Sequence, residues 1–302
     1  MFWYETFDEI MAHELPAVQV EKDVPLCRHT SFRIGGPARR MAFPTSTAEL
    51  AGTMDAAARC GVQPFVLGKG TNLLMADEGL DTLVIKTENM NAIRQLDELT
   101  LEADAGVSLA RFAVFAQQAG LAGMEFAHGI PGSLGGAMYM NAGAYGGEMK
   151  DIVAEVTALF PGGVRTLTVE EAELGYRSSA FARNGAIVLS VKVRLHKDEP
   201  AAIRARMDEL MARRKKTQPL EYPSAGSTFK RPVGNFAGTL IEQTGLKGLT
   251  VGGAQVSEKH AGFVINVGGA TAADVMALIE EVQKRVLEAS GVQLEPEVRI
   301  IR

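Results

Sequence analysis

Residues 129–137 read GIPGSLGGA, and residues 67–73 read LGKGTNL. Glycine carries no Cβ, so the N–H groups of such segments can converge on the phosphate oxygens of a ligand. Two clusters in one chain suit a long dinucleotide diphosphate that is held from two sides. Tight turns between strands are the alternative interpretation. Pro131, which makes a rigid turn, and Ser133 and Asn141, which add side-chain donors, favour binding.

Four familiar motifs fail when they are tested against these segments. In a P-loop the lysine directly precedes Ser or Thr, but here Gly70 separates Lys69 from Thr71. The Rossmann pattern G-x-G-x-x-G fails because Leu73 stands at its third glycine. The pair His13-Glu14 has no second histidine at the zinc-protease spacing. Residues 227–230 match S-x-x-K, but the companion motifs S-D-N and K-T-G are missing.

The composition describes a globular chain that uses glycine heavily. Its 302 residues include 32 glycines, while aromatic residues make up 6%. A net charge of -5 argues against a protein whose main ligand is a nucleic-acid backbone. Residues 1–16 lack the basic start of a signal peptide, and no apolar run is long enough for a membrane span. Cys27 and Cys60 form no disulfide framework, which indicates a reducing compartment such as the cytosol.

Apolar periodicity and its punctuation predict an α+β fold with mixed sheets. Ser108 and Gly120 bracket a predicted helix over 109–118, and Thr271 opens a long one. Further helices are predicted from Pro200 to about 216 and over 238–244. The predicted strands cover 64–67, 82–85, 152–160, 163–168, 186–195, 262–267 and 298–301. A charged stretch ending at Pro200 marks a domain boundary near 197.

A larger set of motifs runs through most of the chain in a fixed order. They are HTSFRIGG (29–36), both glycine clusters, GYRSSAF (175–181), SAGSTFK (224–230), GTLIE (238–242), LKG (246–248), VSEKHAGF (256–263) and LEPEVR (294–299). In this set and order, the chain resembles the flavin-dependent UDP-N-acetylenolpyruvoylglucosamine reductases of bacterial peptidoglycan synthesis, and among them the shorter subtype.

The resemblance implies a fold and a set of ligands. It implies a region over 1–197 that binds FAD non-covalently, of the vanillyl-alcohol-oxidase type with two α+β subdomains divided near 65–80. A smaller α+β substrate-binding domain follows over 198–302. NADPH is the implied co-substrate and UDP-N-acetylglucosamine enolpyruvate the implied substrate. No metal, nucleic acid, membrane or obligate protein partner is implied, and the implied location is the cytoplasm.

The resemblance also assigns roles to residues. Arg177 would clamp the substrate carboxylate, and Ser227 would protonate C2 after hydride reaches C3. Glu297 would either donate a hydrogen bond when protonated or orient Arg177. The implied cofactor-binding residues are Gly68, Lys69, Gly70, Thr71, Asn72, Leu73, Gly129, Ile130, Pro131, Gly132, Ser133, Gly135, Gly136, Ala137, Asn141 and Gly143. The implied substrate-binding residues are Tyr176, Lys215, Lys247 and His260.

Two departures and two rival functions accompany these assignments. Arg231 stands where longer relatives have asparagine, and His29 stands where asparagine is common.

An oxygen-using oxidase would show rapid aerobic reoxidation of its flavin without the UDP-sugar. A nucleotide-sugar sensor would bind the UDP-sugar tightly without turnover. The basic run over 213–216 is either a solvated helix end or a diphosphate contact.

Overall fold

The computed structural model describes residues 2–302, which divide into two compact units of three chain stretches each. The first unit comprises the chain up to Lys22, residues 40–69 and residues 82–214. The second comprises residues 23–39, 70–81 and 215–302. The domain boundary predicted near 197 falls inside the first unit. The difference arises because two early stretches pack with the last one, and no local pattern in the sequence indicates such distant pairing.

Most of the helices begin at a serine or threonine N-cap. The helices are α1 (Trp3–Glu14), α2 (Thr47–Arg59), α3 (Leu109–Gln118), α4 (Leu134–Met140), α5 (Val169–Ala172), α6 (Ala180–Asn184), α7 (Pro200–Thr217), α8 (Ala237–Gln243) and α9 (Ala272–Ser290). Of these, α6 and α9 end at a glycine. Helix α3 has the predicted bounds because the Ser108 hydroxyl accepts the Arg111 N–H at 3.2 Å. Helix α9 begins with the predicted capping box of Thr271 and Asp274. Among residues 2–302, no helix has the length and apolar character that a membrane crossing requires.

The strands are mostly short. They are β1 (Gln19–Pro25), β2 (Pro37–Phe43), β3 (Phe65–Leu67), β4 (Leu73–Met75), β5 (Leu80–Lys86), β6 (Ile93–Gln95), β7 (Thr100–Asp104), β8 (Leu121–Ala122), β9 (Gly143–Ala144), β10 (Gly147–Glu148), β11 (Val153–Phe160), β12 (Gly163–Thr168), β13 (Ile187–Arg194), β14 (His196–Lys197), β15 (Ser224–Ser227), β16 (Thr250–Val251), β17 (Ala254–Val256), β18 (Phe263–Asn266) and β19 (Arg299–Ile301). Short 3-10 turns cover Leu26–Arg28, Thr87–Asn89, Glu125–Ala127 and Met149–Asp151. The predicted strands are present, with ends shifted by a few residues.

Two larger sheets lie wholly or mainly in the first unit. One is antiparallel, in the order β12-β11-β13-β7-β6, and along β13 Val191 and Val193 are buried while Arg194 is exposed. The other has the order β1-β2-β5-β3, and its core includes Phe7 of α1 and Leu50 of α2. In this sheet the parallel strands β3 and β5 pair Leu67 with Lys86. The register therefore places Lys86 beside the first glycine cluster.

The second unit is built on the sheet β15-β18-β17-β16 with α8 and α9. Its core contains Leu240 of α8, Val264 of β18 and Val282 of α9. Strand β19 pairs in parallel with β4, with Arg299 opposite Leu73. Because of this pairing, the chain before β19 lies beside the end of the first glycine cluster.

Candidate active site

The two glycine clusters meet inside the first unit at Gly68 and Ser133. A Cβ on Gly68 would lie 2.2 Å from Oγ of Ser133, closer than non-bonded heavy atoms can approach. Glycine at position 68 is therefore required for this contact. The structure brings together one residue of each cluster that the sequence assigns to cofactor binding.

A buried lysine supports the first cluster from behind. Only 3% of Lys86 is exposed, and its ammonium donates to the carbonyl oxygen of Gly68 at 2.6 Å. The carboxylate of Glu88 lies 3.9 Å from the same ammonium. Burial lowers the pKa of Lys86, against the attraction of Glu88. Sequence reasoning missed Lys86, because a lysine at the end of a strand gives no local sign that it is buried.

The backbone of the first cluster suits the phosphate groups of a dinucleotide cofactor. The carbonyl of Gly68 accepts a hydrogen bond from Lys86 of the first unit. The carbonyl of Gly70, in the second unit, accepts the Ser31 N–H at 3.1 Å. In a trans peptide, the C=O and the following N–H point in opposite directions. The N–H group of Lys69 therefore points away from the anchored Gly68 carbonyl. Backbone N–H groups arranged in this way suit the phosphate oxygens of FAD.

The end of the first cluster is tied to the segment that carries Glu297. Nδ2 of Asn72 donates to the Glu297 carbonyl oxygen at 3.2 Å, and the Asn72 carbonyl accepts the Arg299 N–H at 3.0 Å. Gly70 has a φ of 62°, and a Cβ there would lie 2.3 Å from the His29 carbonyl oxygen. A predicted cofactor residue and a predicted catalytic residue are thus neighbours in the second unit.

The second glycine cluster is partly helical, whereas its sequence predicts a loop throughout. Helix α4 begins inside it, and the Ser133 hydroxyl accepts the Gly136 N–H at 3.4 Å. A Cβ on Gly135 would lie 3.0 Å from Cβ of Ala105, so this glycine permits close packing of the helix. The cofactor residues predicted in the cluster therefore divide into two groups. Gly129, Ile130, Pro131 and Gly132 precede the cap, and Gly135, Gly136 and Ala137 lie in the helix.

Buried polar atoms lie at the start of the second cluster. Within residues 2–302, Nε of Arg214 and Nδ1 of His128 have no hydrogen-bond partner. A Cβ on Gly129 would lie 3.2 Å from Cδ of Arg214, and burial lowers the pKa of this arginine. On the same helix, Arg206 donates to the Glu125 carboxylate at 2.7 Å and holds α7 against the segment before Gly129. The arrangement suits an anionic group of a ligand.

Gly143 lies in a small hairpin, and the basic run over 213–216 begins next to it. Strands β9 and β10 pair, and a Cβ on Gly143 would lie 2.7 Å from the Gly147 carbonyl oxygen. Tyr145 at the tip is 40% exposed, and the Arg213 guanidinium lies 5.3 Å from its ring centroid. Further along α7, Lys215 is exposed. The basic run thus begins at the hairpin in the first unit and continues into the second.

Arg177 lies in a tight turn with an unusual backbone. The Gly175 N–H donates to the Ser178 carbonyl at 3.0 Å, and the Ser178 N–H donates back at 3.2 Å. Arg177 has a φ of 52°, a left-handed conformation that costs a residue with a Cβ about 1–2 kcal/mol. The guanidinium of Arg177 lies 5.2 Å from the centroid of the Tyr176 ring, which is exposed. Residues with a strained backbone are concentrated at functional sites.

Ser227 and Glu297 lie on neighbouring segments of the second unit. Ser227 ends β15 with an exposed side chain, opposite Phe263 of β18. The Glu297 N–H donates to the carbonyl of Thr228, the residue after Ser227, at 2.8 Å. Gly226 has a φ of 78° where β15 departs from regular pairing. The structure therefore brings the predicted proton donor and the predicted carboxylic acid into one local arrangement.

His260 and Lys247 complete the predicted substrate residues of the second unit. Nδ1 of His260 accepts the Gly262 N–H at 3.1 Å, so in the neutral ring Nε2 carries the hydrogen. Burial lowers the pKa of His260, and Lys247 lowers it further while Glu242 acts in the opposite sense. Lys247 itself pairs with the Glu242 carboxylate at 2.5 Å. His260 is therefore arranged as a neutral hydrogen-bond donor.

These features define an FAD-binding oxidoreductase with an α+β fold, as the sequence predicts. Residues 38–168 match the description "FAD binding domain". Residues 218–301 match "UDP-N-acetylenolpyruvoylglucosamine reductase, C-terminal domain".

Relatives match the chain over nearly its whole length. UDP-N-acetylenolpyruvoylglucosamine reductase of Syntrophomonas wolfei is 46% identical over 95% of this chain and 96% of its own. That of Agathobacter rectalis is 47% identical over 98% of both chains. The crystal structure of UDP-N-acetylenolpyruvylglucosamine reductase from Thermus caldophilus covers 94% of this chain with a TM-score of 0.82 and 36% identity, and all of that chain is matched. The chain belongs to the UDP-N-acetylenolpyruvoylglucosamine reductase family.

Proposed function

We propose that the protein uses NADPH to reduce UDP-N-acetylglucosamine enolpyruvate to UDP-N-acetylmuramate, in the cytoplasmic synthesis of peptidoglycan precursors. The observation that carries the proposal is a backbone hydrogen bond that holds the segment of Glu297 beside the segment of the exposed Ser227. Ser227 adjoins Thr228, whose carbonyl accepts the Glu297 N–H at 2.8 Å. The FAD-binding region and the two glycine clusters support the flavin part of the chemistry.

The reaction needs hydride at one carbon, a proton at its neighbour and stabilisation of the negative charge that forms between the two transfers. The two glycine clusters would hold FAD, which would supply the hydride for C3 of the enolpyruvyl group after reduction by NADPH. The Ser227 hydroxyl supplies the proton to C2. A serine hydroxyl is a weak acid, so its oxygen must be held close to a strongly basic carbon. Its position at the end of a strand, after the turn at Gly226, provides a fixed backbone for this task.

Arg177 binds the substrate carboxylate and the charge that develops on it. The planar guanidinium offers two parallel donors that match a carboxylate, which a lysine cannot supply. The left-handed backbone of Arg177 gives its side chain a direction that a right-handed backbone at the same position would not give. Glu297 acts beside Ser227, either as a protonated donor or as the partner that orients Arg177. A carboxylate left ionised beside the forming charge would oppose the reaction.

We assign the nucleotide half of the substrate to the basic residues Lys215, Lys247 and His260, with Tyr176 as a further contact. His260 supports this role because its Nδ1 is already an acceptor within the protein, which leaves Nε2–H as a donor. Lys247 supports it less directly, since its ammonium is paired with Glu242. The diphosphate and the sugar hydroxyls are the groups that such donors recognise.

The test is an anaerobic visible spectrum of the purified protein, recorded before NADPH, after NADPH, and after UDP-N-acetylglucosamine enolpyruvate. The proposal expects flavin bands that bleach with NADPH and return with the enolpyruvyl sugar. Return with oxygen alone at a comparable rate would identify an oxidase. Binding of the UDP-sugar without any return of the bands would identify a sensor.

A further inference from the structure

The turn that contains Arg177 accepts a hydrogen bond from a buried asparagine that lies outside the turn. Nδ2 of Asn141 donates to the Gly175 carbonyl oxygen at 3.2 Å, and the same oxygen accepts the Ser178 N–H. Asn141 is 1% exposed, so the donor of this bond is buried, while Gly175 is partly exposed. The residue that opens the turn is thus fixed both by the turn itself and by a side chain 34 residues away in sequence.

The whole amide of Asn141 is engaged inside the first unit. Its second Nδ2 hydrogen goes to the Glu148 carboxylate at 3.1 Å, and its Oδ1 accepts the Lys150 N–H at 3.0 Å. Asn141 also has a left-handed backbone, with a φ of 42°, at the end of α4. Both donor hydrogens are therefore used within the protein, although the sequence assigns this side chain to the cofactor.

The end of α4 fixes both sides of the Arg177 turn. On one side Asn141 holds Gly175, and on the other the Ser179 hydroxyl donates to the Tyr139 carbonyl oxygen at 2.8 Å. Helix α4 in turn begins within the second glycine cluster at its Ser133 cap. One short helix thus connects the cluster assigned to the cofactor with the turn assigned to the substrate carboxylate.

We propose that Asn141 is the positioning residue that aims the Arg177 guanidinium at the substrate carboxylate, through its bond to the Gly175 carbonyl. The inference rests on the role of Arg177 under the proposed function. The left-handed conformation of Arg177 is unfavourable by itself, so the surrounding contacts must hold it. The donor of the bond from Asn141 is a buried side chain, whereas a further side-chain bond to the turn, from Arg183 to Ser178 at 2.9 Å, is exposed.

The first test replaces Asn141 by glycine, which keeps the left-handed backbone accessible and removes the amide. We expect FAD affinity and the rate of flavin reduction by NADPH to stay within about twofold of the parent. Reoxidation by UDP-N-acetylglucosamine enolpyruvate, measured by anaerobic stopped flow, should slow by about a hundredfold, as for a misplaced reacting group. Asn184→Gly, a change at an exposed asparagine of the same unit, is the matched control and should reoxidise at the parental rate.

A second variant separates positioning from folding. In Asn141→Asp/Glu148→Gln the donor and acceptor exchange places, so the bond between positions 141 and 148 can form again, but the carboxylate cannot donate to the Gly175 carbonyl. We expect this variant to melt below the parental temperature, because the introduced carboxylate faces the Gly175 carbonyl, but to stay folded with FAD bound at the assay temperature and still reoxidise slowly. Parental reoxidation in it would overturn the inference. So would loss of FAD that accounts for the whole defect of Asn141→Gly, because Asn141 would then act on the cofactor.

A double-mutant cycle tests whether Asn141 acts through Arg177. If it does, Asn141→Gly should cost little further reoxidation rate in an Arg177→Met background. Multiplying effects would show independent roles and overturn the inference. If Arg177→Met alone reoxidises at the parental rate, the proposed role of Arg177 fails, and the inference fails with it. A slow Arg177→Met beside a fast Asn141→Gly would overturn the inference and leave the proposed function intact.

Discussion

Gly68 and Ser133 lie in such close contact that a Cβ on the glycine would fall 2.2 Å from the serine Oγ and 3.4 Å from its Cβ. Gly68→Ala should therefore displace the two glycine clusters and weaken FAD binding by about tenfold or more. Removing the hydroxyl relieves the clash, so Gly68→Ala/Ser133→Ala should bind FAD better than Gly68→Ala. Fluorescence titration of the apoprotein with FAD measures this, and equal affinities of the two variants would contradict it.

Ser227→Ala should separate the two half-reactions. Flavin reduction by NADPH needs no proton from Ser227, whereas reoxidation by the enolpyruvyl sugar does. We expect the first rate to be unchanged and the second to fall by about a hundredfold to ten-thousandfold, the usual contribution of general acid catalysis. Anaerobic stopped flow on each half-reaction is the measurement. Parental reoxidation would remove Ser227 from the mechanism.

Arg177→Lys keeps the positive charge and removes the planar pair of donors. Reoxidation by the enolpyruvyl sugar should slow by about a hundredfold, because the charge that develops on the carboxylate loses a fitted partner. Arg204→Lys is a suitable control, since Arg204 is an exposed arginine of α7 that pairs with Asp208 at 2.9 Å. Similar rates in both variants would argue that Arg177 has no special role.

Lys86→Met should have opposite effects on cofactor binding and on folding. The buried ammonium has a backbone carbonyl at 2.6 Å and a carboxylate only at 3.9 Å, so its desolvation is poorly compensated. We expect the melting temperature of the apoprotein to stay level or rise. FAD affinity should fall about tenfold, because Gly68 loses a charged hydrogen bond. A lower apoprotein melting temperature with unchanged FAD affinity would show that Lys86 serves folding alone.

His260 should make the second unit less stable in mild acid. Burial lowers the pKa of this histidine below its ordinary value of 6.5. Below that pH the unfolded chain binds a proton that the folded protein resists, so the free energy of unfolding falls as the pH drops from 6.5 towards the folded pKa. His260→Asn keeps an acceptor for the Gly262 N–H and cannot titrate. Urea denaturation at pH 7.5 and 5.5 should show a smaller difference for this variant than for the parent.

The parts of the fold that could be predicted are those with local signals. Ser108 and Gly120 predict the bounds of α3, and the sequence from Gly163 to Thr168 predicts β12. Helix α4 could not be found in this way, because its glycines lower helix propensity, whereas its buried residues Leu134, Ala137 and Met138 pack into the core. Tertiary contacts outweigh local preference there.

The candidate site could be predicted as residue types, and its internal connections could not. The pattern over 224–230 and 294–299 pointed to Ser227 and Glu297, and the structure adds the backbone bond that joins their segments. The tasks of Asn141 and Lys86 depend on partners 34 and 18 residues away, Gly175 and Gly68. Separations of this size leave no periodic trace in a single sequence.

The interleaved order of the two units has a consequence for biosynthesis. Strand β4, at Leu73–Met75, pairs with β19, at Arg299–Ile301, which emerges from the ribosome after every other described element. At about 5–20 residues per second, β4 spends on the order of tens of seconds without its partner. Strand β4 therefore stays unpaired during most of the synthesis of the second unit. Vectorial synthesis leaves this unit exposed to misassembly until the last residues arrive.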